Sequence, residues 1–454
     1  MSGSPHKLAC GPGPRCAAAQ TRLALATALL GVIGTLLPAS ANVPDRSAGR
    51  PTGSTIAARQ NAETWDNRGE NNATAVDERA RGESQPEGIR FGNYIILSTG
   101  EVRTVYSDNI YGTATDRIGD FSVELIPRIR ARSQFGRHAL NFDFGGRLVE
   151  FANEKDNNHV DGFATMDGEL HINHAHTLTF GLTTDYVHES RLARIAPREA
   201  AEKTPIWHTG AHLGLTRDAG RLAASIGATY DRWDFADVTA RDGGKIDQDF
   251  RDTTIYASDL QLKYRFSPGY AFETKLRGLR TLKPHSGPPG SDSWGYDVTA
   301  GIRGEFSPLF HWSIAGGYGF RDFDEASLTD TDGWLFEANA KYLPRQWLQF
   351  TAFARQSFVP TEAATDVLIR EFGGETKIEA RHDLILTFGG SHQQSERDDD
   401  YGGSERWNAL ARLEYRQSKH LHWTLQYDYS LRSSTEDDWT AEENKIWLGA
   451  KFLY

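Results

Sequence analysis

Thiols are nearly absent from this 454-residue chain, which has two cysteines, Cys10 and Cys16, both near its beginning. Long apolar runs are just as scarce. Hydrophobic residues make up 39% of the chain and the mean hydropathy is -0.54, too polar for a bundle of membrane-spanning helices. The one sustained apolar run, Leu23 to Leu37, follows the cations Lys7, Arg15 and Arg22 and precedes Ala39-Ser40-Ala41. That order of cations, apolar core and small residues is a secretory signal with its cleavage site, so residues 1–41 are expected to be removed and the mature chain to begin at Asn42. Both cysteines leave with the signal. Cys10 precedes the apolar core, whereas a lipid-anchored cysteine would follow it. Stability must then come without disulfides or cysteine-bound metal.

Residues 42–90 are rich in Asn, Glu, Arg, Ala and Gly, with Trp65 almost their only large apolar side chain, and are expected to form a disordered polar periplasmic segment. From about Phe91 to Tyr454 the texture changes to strand-length segments dense in Phe, Tyr, Trp, Thr and Gly, with no second boundary. The clearest strand begins at Leu421. Leu421, Trp423, Leu425, Tyr427, Tyr429 and Leu431 alternate with His422, Thr424, Gln426, Asp428, Ser430 and Arg432, giving two chemically opposite faces.

Two kinds of connection take turns along residues 91–454. Short ones include Phe135 to His138, Asn173 to His176, Arg217 to Gly220, Ser267 to Gly269, Ser307 to Leu309, Leu343 to Arg345, Ala380 to His382 and Ser418 to His420. Longer, acidic ones include Gly112 to Gly119, Asn153 to Asp161, Ser190 to Pro205, Ala236 to Arg251, Pro284 to Asp292, Asp324 to Asp332, Pro360 to Asp366, Arg397 to Ser404 and Ser433 to Glu443. The repeat is therefore a hairpin of two strands, each about 14 residues long. The chain is predicted to hold about 18 strands (16–18) in an all-β, up-and-down antiparallel sheet. Propeller blades would need four short strands per repeat. A sheet of this many strands must close or split to remove its edges.

Face polarity selects the kind of closure. One face is apolar, as in Leu140, Phe142, Phe144 and Leu148, or Trp294, Tyr296, Val298, Ala300 and Ile302. The other carries Glu124, Arg128, Arg130, Arg132, Asp143, Arg147, Asp167, Glu169, Lys263, Arg265, Lys275, Arg277, Glu375, Lys377, Arg412, Glu414, Arg416 and Asp428, which are predicted to line a pore. A soluble barrel of this circumference has an interior too wide for apolar side chains to fill. Lipid outside and water inside satisfies both faces, which predicts a closed transmembrane β-barrel with both termini periplasmic. Trp207, Trp294, Trp334 and Trp407 open strands after long loops, while Trp312, Trp347 and Trp423 follow short turns, as interfacial belts require.

The chain ends in an alternating strand, with Ile446, Leu448, Ala450, Phe452 and Tyr454 on one face. This ending resembles the C-terminal signature of bacterial outer-membrane proteins, which the barrel-assembly machinery reads. With the signal peptide and hairpin register, and with Tyr106-Ser107-Asp108-Asn109-Ile110-Tyr111 resembling a first-strand Tyr-x-Asp-Asn pattern, residues 91–454 resemble the outer-membrane β-barrel porin family of Gram-negative bacteria often associated with exopolysaccharide genes. The resemblance implies an outer-membrane channel with short periplasmic turns and long external loops, passing small solutes or helping a polysaccharide across. It carries no catalytic residues.

His171, His174 and His176 straddle a turn with mixed parity, which fits solvated imidazoles better than a zinc site. His208 and His212 lie about 13 Å apart along a strand and cannot share one metal; they are read as lumen residues. Asp330-Thr331-Asp332-Gly333 imitates a calcium loop without its downstream glutamate. Asp398, Asp399, Asp400, Glu436, Asp437, Asp438, Glu442 and Glu443 make an acidic rim suited to solvation, or to divalent bridges to lipopolysaccharide. Arg128, Arg130 and Arg132, with Arg412 and Arg416, either form a cationic field or pair with neighbours such as Glu124 and Glu414. No catalytic, cofactor or metal residue is assigned. Expected partners are membrane lipid, lipopolysaccharide, the assembly machinery and polysaccharide-export components, and no nucleic acid is expected. Ser190 to Pro205 or Ala236 to Arg251 is expected to fold inward and narrow the pore. A barrel-embedded enzyme and a structural or adhesive component of an export machine are the alternatives.

Overall fold

A computed structural model describes residue 76 and residues 86–454, apart from 192, 194, 195, 198, 284–290, 327, 361–365, 397–402 and 435–439. The signal-peptide reading, most of the polar segment, and Asp398, Asp399, Asp400, Glu436, Asp437 and Asp438 lie outside the described residues. Val76 is fully buried, and its backbone N–H donates to Gln349 Oε1 at 3.2 Å.

Alternation of apolar and polar residues is realised as eighteen long strands. In chain order they are β1 (Tyr94–Ser107), β2 (Asp120–Ser133), β3 (Ala139–Phe151), β4 (His159–His171), β5 (His176–His188) and β6 (Pro205–Ala219). Next come β7 (Leu222–Phe235), β8 (Thr253–Ser267), β9 (Tyr270–Leu282), β10 (Ser293–Ser307), β11 (Phe310–Phe323) and β12 (Thr331–Arg345). The last six are β13 (Leu348–Pro360), β14 (Asp366–Arg381), β15 (Leu384–Glu396), β16 (Ser404–Ser418), β17 (Leu421–Ser434) and β18 (Ala441–Leu453). Each pairs antiparallel with its sequence neighbour, and β1 also pairs with β18 from Thr99↔Leu453 to Ser107↔Lys445. The sheet closes into an up-and-down barrel, so its eighteen main strands leave no open edge. A short strand, Ile89–Phe91, folds back onto the start of β1.

The tight turns sit slightly later than the sequence suggested. Leu343, Pro344 and Arg345 belong to β12, and Arg381 still belongs to β14. The reason is a recurring register shift beside the turn, seen between Arg265 and Ser267, Glu305 and Ser307, Tyr342 and Arg345, Glu379 and Arg381, and Arg416 and Ser418. A bulge of this kind inserts an unpaired residue, so Pro344 stays in the strand without costing a ladder bond. The long loop after β3 is likewise shorter than expected, because His159 and Asp161 already belong to β4.

The apolar faces point away from the barrel interior. Leu148, Leu182, Leu213, Ile226, Leu276, Ile314 and Leu448 are exposed, as are Trp207, Trp294, Trp334, Trp347, Trp407, Trp423 and Tyr454. Trp312 is half-buried, its ring lying over Gly304 of β10, where a Cβ would meet the indole.

Candidate functional site

The inner wall is a lattice of ion pairs, some between neighbouring strands and some between residues two apart on one strand. Arg128 Nε lies 2.7 Å from Asp143 Oδ1 on the facing strand, and Arg147 Nη2 lies 3.2 Å from Glu124 Oε1. Arg103 meets Glu101 at 2.6 Å, Arg416 meets Glu414 at 2.6 Å and Lys377 meets Glu375 at 3.1 Å. Further round, Arg277 lies 3.7 Å from Asp259, while Lys263 and Arg303 share Glu273 at 3.7 and 3.5 Å. Arg412 donates to Gln426, and Gln426 in turn donates to Asp428 at 2.5 Å. Opposite charges on neighbouring strands or two apart on one strand satisfy each other, so this wall reads as mixed rather than cationic.

Other predicted positions fall at the rims. Arg265 pairs with Asp218 beside a short turn, at 2.6 Å, and Glu169 meets His171 at 3.0 Å. His176 bonds Asn173 at 3.0 Å, so His171 and His176 are held by local partners. Asp167 shares the inner face with Gly181 and His212, both of which lie beside its carboxylate row. His208 is buried between Asp185 and Asp231, each 3.0 Å from a ring nitrogen, and stacks 4.6 Å from Trp233. With both nitrogens occupied by carboxylates it is a cross-link spanning β5, β6 and β7. Asp330 and Asp332 are engaged by the backbone of Phe323 and the hydroxyl of Tyr318.

Above this wall, loops enter the interior. The connection 189–204 reaches β17, where Arg432 Nη1 donates to Ala193 O at 2.9 Å. Arg432 lies on the inward row of β17 and Ala193 on the loop that follows β5, so this loop reaches toward the interior from a distant part of the wall. The connection 236–252 is locked to it. Ala200 and Ala240 form an antiparallel bridge, Ala201 N donates to Thr239 O at 2.8 Å, and Arg241 N donates to Glu199 O at 2.8 Å. Arg251, 0% exposed, makes a forked pair with Glu189 at 2.5 and 3.0 Å, bonds Gln248 at 2.8 Å and lies 4.2 Å above the Phe235 ring. The two connections are therefore joined to each other and rest on inward-facing residues of the wall.

A third loop, 108–119, supplies Tyr111, whose hydroxyl donates to Glu154 at 2.7 Å. Arg241 lies 4.6 Å and Arg191 5.5 Å from its ring centroid. Burial, reinforced by Glu154, raises the Tyr111 pKa. Arg191 is clamped by the carbonyls of Ala200 and Ala201, each at 3.0 Å, and burial draws its pKa down to about 10.

The seats of these loops are apolar residues on the otherwise polar face, which the sequence reading missed. Val149 and Phe151 continue the inward row begun by Arg147 and pack on Ile110, with Tyr111 against them. Trp233 and Phe235 continue the row of Asp231 and pack on Ile255 and Ile206. The readable signal was a change from charged to apolar at constant parity near the long-loop ends of β3 and β7.

One acidic cluster, Asp237, Asp247 and Asp249, is close enough to ligate a cation among the described residues. It is already occupied by its own loop. Lys245 Nζ lies 2.7 Å from Asp237, Gln248 N donates to Asp237 and Asp249 N donates to Asp247. Of the acidic rim, Glu442 pairs with Arg117 at 2.8 Å and Glu443 accepts from Ser107 at 2.6 Å.

Solved structures to which the chain is similar include those of three Pseudomonas aeruginosa proteins. OpdL is 11% identical, with 80% of this chain and 99% of that chain covered at a TM-score of 0.42. OccK11 (OpdR) is 12% identical, with 82% and 99% covered at 0.43, and OpdO is 12% identical, with 79% and 97% covered at 0.44. No curated protein sequence matches the chain. The family model described as "Putative beta-barrel porin 2" matches residues 83–454. With an 18-strand closed barrel, an apolar outer belt and a charged inner wall, the chain belongs to this family of porins of the bacterial outer membrane.

Proposed function

We propose that the chain is a passive channel for small polar solutes or saccharides, with the charged inner face lining its path and the paired loops 189–204 and 236–252 forming its narrowest part. The observation that supports this reading is the bond from Arg432, on the inward row of β17, to Ala193 of the first loop, which fits a loop that turns into the barrel. Charged side chains at the wall keep such a path hydrated, and a loop-built constriction restricts what passes.

In the same reading the long loops face outward and both termini are periplasmic. The strand Ala441–Leu453 with Tyr454 carries the signal for barrel assembly, and lipopolysaccharide surrounds the external rim. Service to an exopolysaccharide export system is the physiological setting this reading favours. Conductance of the refolded, full-length chain in a planar bilayer tests the proposal. Step-like openings are expected, and a correctly folded protein that stays silent would refute it.

A further inference from the structure

The inner face changes character at the mouth ringed by the short turns. Farther along the strands its inward positions carry cations and carboxylates, but beside the short turns β1 presents Ile95 and Leu97, β12 Leu343, β15 Ile385 and β18 Leu453. Val102, Tyr342, Phe388 and Phe452 are exposed on the lipid side of the same four strands, so alternation turns these five residues inward. Leu343, Ile385 and Leu453 are only 1–3% exposed. In an open, water-filled mouth such side chains would be wet, at a cost in hydrophobic free energy.

Gln349 stands on the same arc. It is the second residue of β13, its neighbour Phe350 faces lipid, and it shares a register row with Lys377 of β14 and Thr387 of β15. Gln349 and Thr387 are buried as well. The group seated on Gln349 is Val76, from the chain that precedes the barrel. It is fully buried, and its backbone N–H donates to Gln349 Oε1 at 3.2 Å.

A second fixed point lies where that chain joins the barrel. Glu87 Oε1 is 3.5 Å from Lys419 Nζ in the short turn before β17, and Ile89–Phe91 pairs with residues 94–96 of β1, which β18 joins only from Thr99. Between them Gly88 has a φ of +68° and lies so close to Ile95 and Leu97 that a Cβ would meet them at 2.7 and 2.8 Å. The left-handed backbone and the close approach both call for glycine. The chain therefore touches the inward apolar rim at Gly88 and is buried on the inner wall again at Val76.

We propose that the chain preceding Gly88 docks in the short-turn mouth as an internal plug, with Val76 as its anchor and Leu343, Gln349, Ile385 and Leu453 as its seat. Seated, it obstructs the path from that side. An anchor held by apolar contact and a backbone bond can release without unfolding the barrel, because local openings draw on the low end of a protein's stability. What is obstructed rests on the channel reading, whereas the docking stands on the geometry of Val76 and Gly88.

The test uses the full-length protein in detergent micelles, with Cys10→Ser and Cys16→Ser so that one introduced thiol is the sole target. Val76→Cys is labelled with a water-soluble maleimide, and Glu87→Cys, at a side chain 88% exposed, is the reference. The thiol of Val76→Cys should react about tenfold more slowly than the reference. Adding Gln349→Ala should speed it about fivefold, the worth of one neutral hydrogen bond. Single-channel recording then compares the wild type with Val76→Asp, whose charge cannot stay in an apolar seat. The wild type should pass small steps and Val76→Asp steps about twice as large, with an unchanged far-ultraviolet spectrum showing an intact barrel. Gln349→Ala, which leaves Val76 itself untouched, should shift conductance in the same direction.

Labelling of Val76→Cys as fast as the reference, or protection that Gln349→Ala does not relieve, would overturn the docking. Equal conductance in the wild type, Val76→Asp and Gln349→Ala would overturn the plug even with the thiol protected. If no variant conducts, the channel reading fails, while protection relieved by Gln349→Ala upholds the docking.

Discussion

Arg251 shows how much one side chain can organise. Its guanidinium is withdrawn from water and compensated by Glu189, Gln248 and the face of Phe235, so it joins one inward loop to the end of β5, where the other begins. Removing one partner of such a buried pair typically costs about 3–5 kcal/mol, because the other charge is left stranded. Arg251→Ala should therefore open the loop unit while the barrel persists. Faster thermolysin cleavage within 236–252, with an unchanged far-ultraviolet spectrum, is the expected result. Lys203 gives a pH-dependent prediction. Burial, aided by Arg147, Lys445 and Arg191 and opposed by Asp161, lowers its pKa to about 8. Below that value it is charged and attracts anions; as pH rises through it, the attraction fades. Between about 8 and the ordinary lysine value near 10.5, the unfolded chain holds a proton that the folded chain has released, so this group makes stability rise with pH. Reversal potentials in a potassium chloride gradient should show anion preference falling between pH 7 and 9, and Lys203→Gln should flatten that change.

At the scale of the element, the Tyr106-Ser107-Asp108-Asn109 motif acts as a clasp between the first and last strands. Asp108 accepts from the backbone and the side chain of Asn444, both at 2.7 Å, and Asn109 donates to Glu442 O and Thr113 O, both at 2.8 Å. Hydrogen bonds to a charged group contribute about 1.5–3 kcal/mol each. Asp108→Ala should lower the urea midpoint of the micelle-bound barrel and slow its closure, whereas a change at an unpaired loop position should do neither. Sequence showed the family resemblance of this motif but not its task, because its partners lie more than 330 residues away. Strand number and face polarity were legible because period-two alternation is local, as in the stripe from Leu421 to Leu431. Turn limits slipped at Pro344, since a bulge leaves no mark on alternation. The loop seats at Val149, Phe151, Trp233 and Phe235 were obscured because the inner face had been assigned to polar residues alone. Two adjacent positions near the middle of β8 test the face assignment. Leu260→Arg places a charge in lipid and should cost about 2–4 kcal/mol in reversible unfolding. Gln261→Arg, on the inner face, should cost less than half of that.

For the whole molecule, the central question is where solute preference is set. The net charge of -11 is a poor guide, since cations and carboxylates on the inner wall are largely paired, across strands or two apart on one strand. A matched pair presents a dipole whose field falls off quickly, and salt at physiological strength screens the remainder within roughly 8 Å. The loop unit differs, because it adds cations of its own, with Lys203 beside Arg147, Lys445 and Arg191 and opposed by Asp161. Selectivity should therefore follow the loops and be indifferent to removal of a complete wall pair. Replacing Arg128 and Asp143 together, by Gln and Asn, keeps the shape and hydrogen bonding of the wall and deletes two opposite charges. In bilayers this double variant should conduct with an unaltered reversal potential. Deleting residues 190–203 should raise conductance and shift the reversal potential toward zero, because it removes both the obstruction and Arg191 and Lys203. If instead the wall pair governs the potential and the loop deletion leaves it unchanged, the constriction is steric alone and the charged lattice of the strands selects the solute.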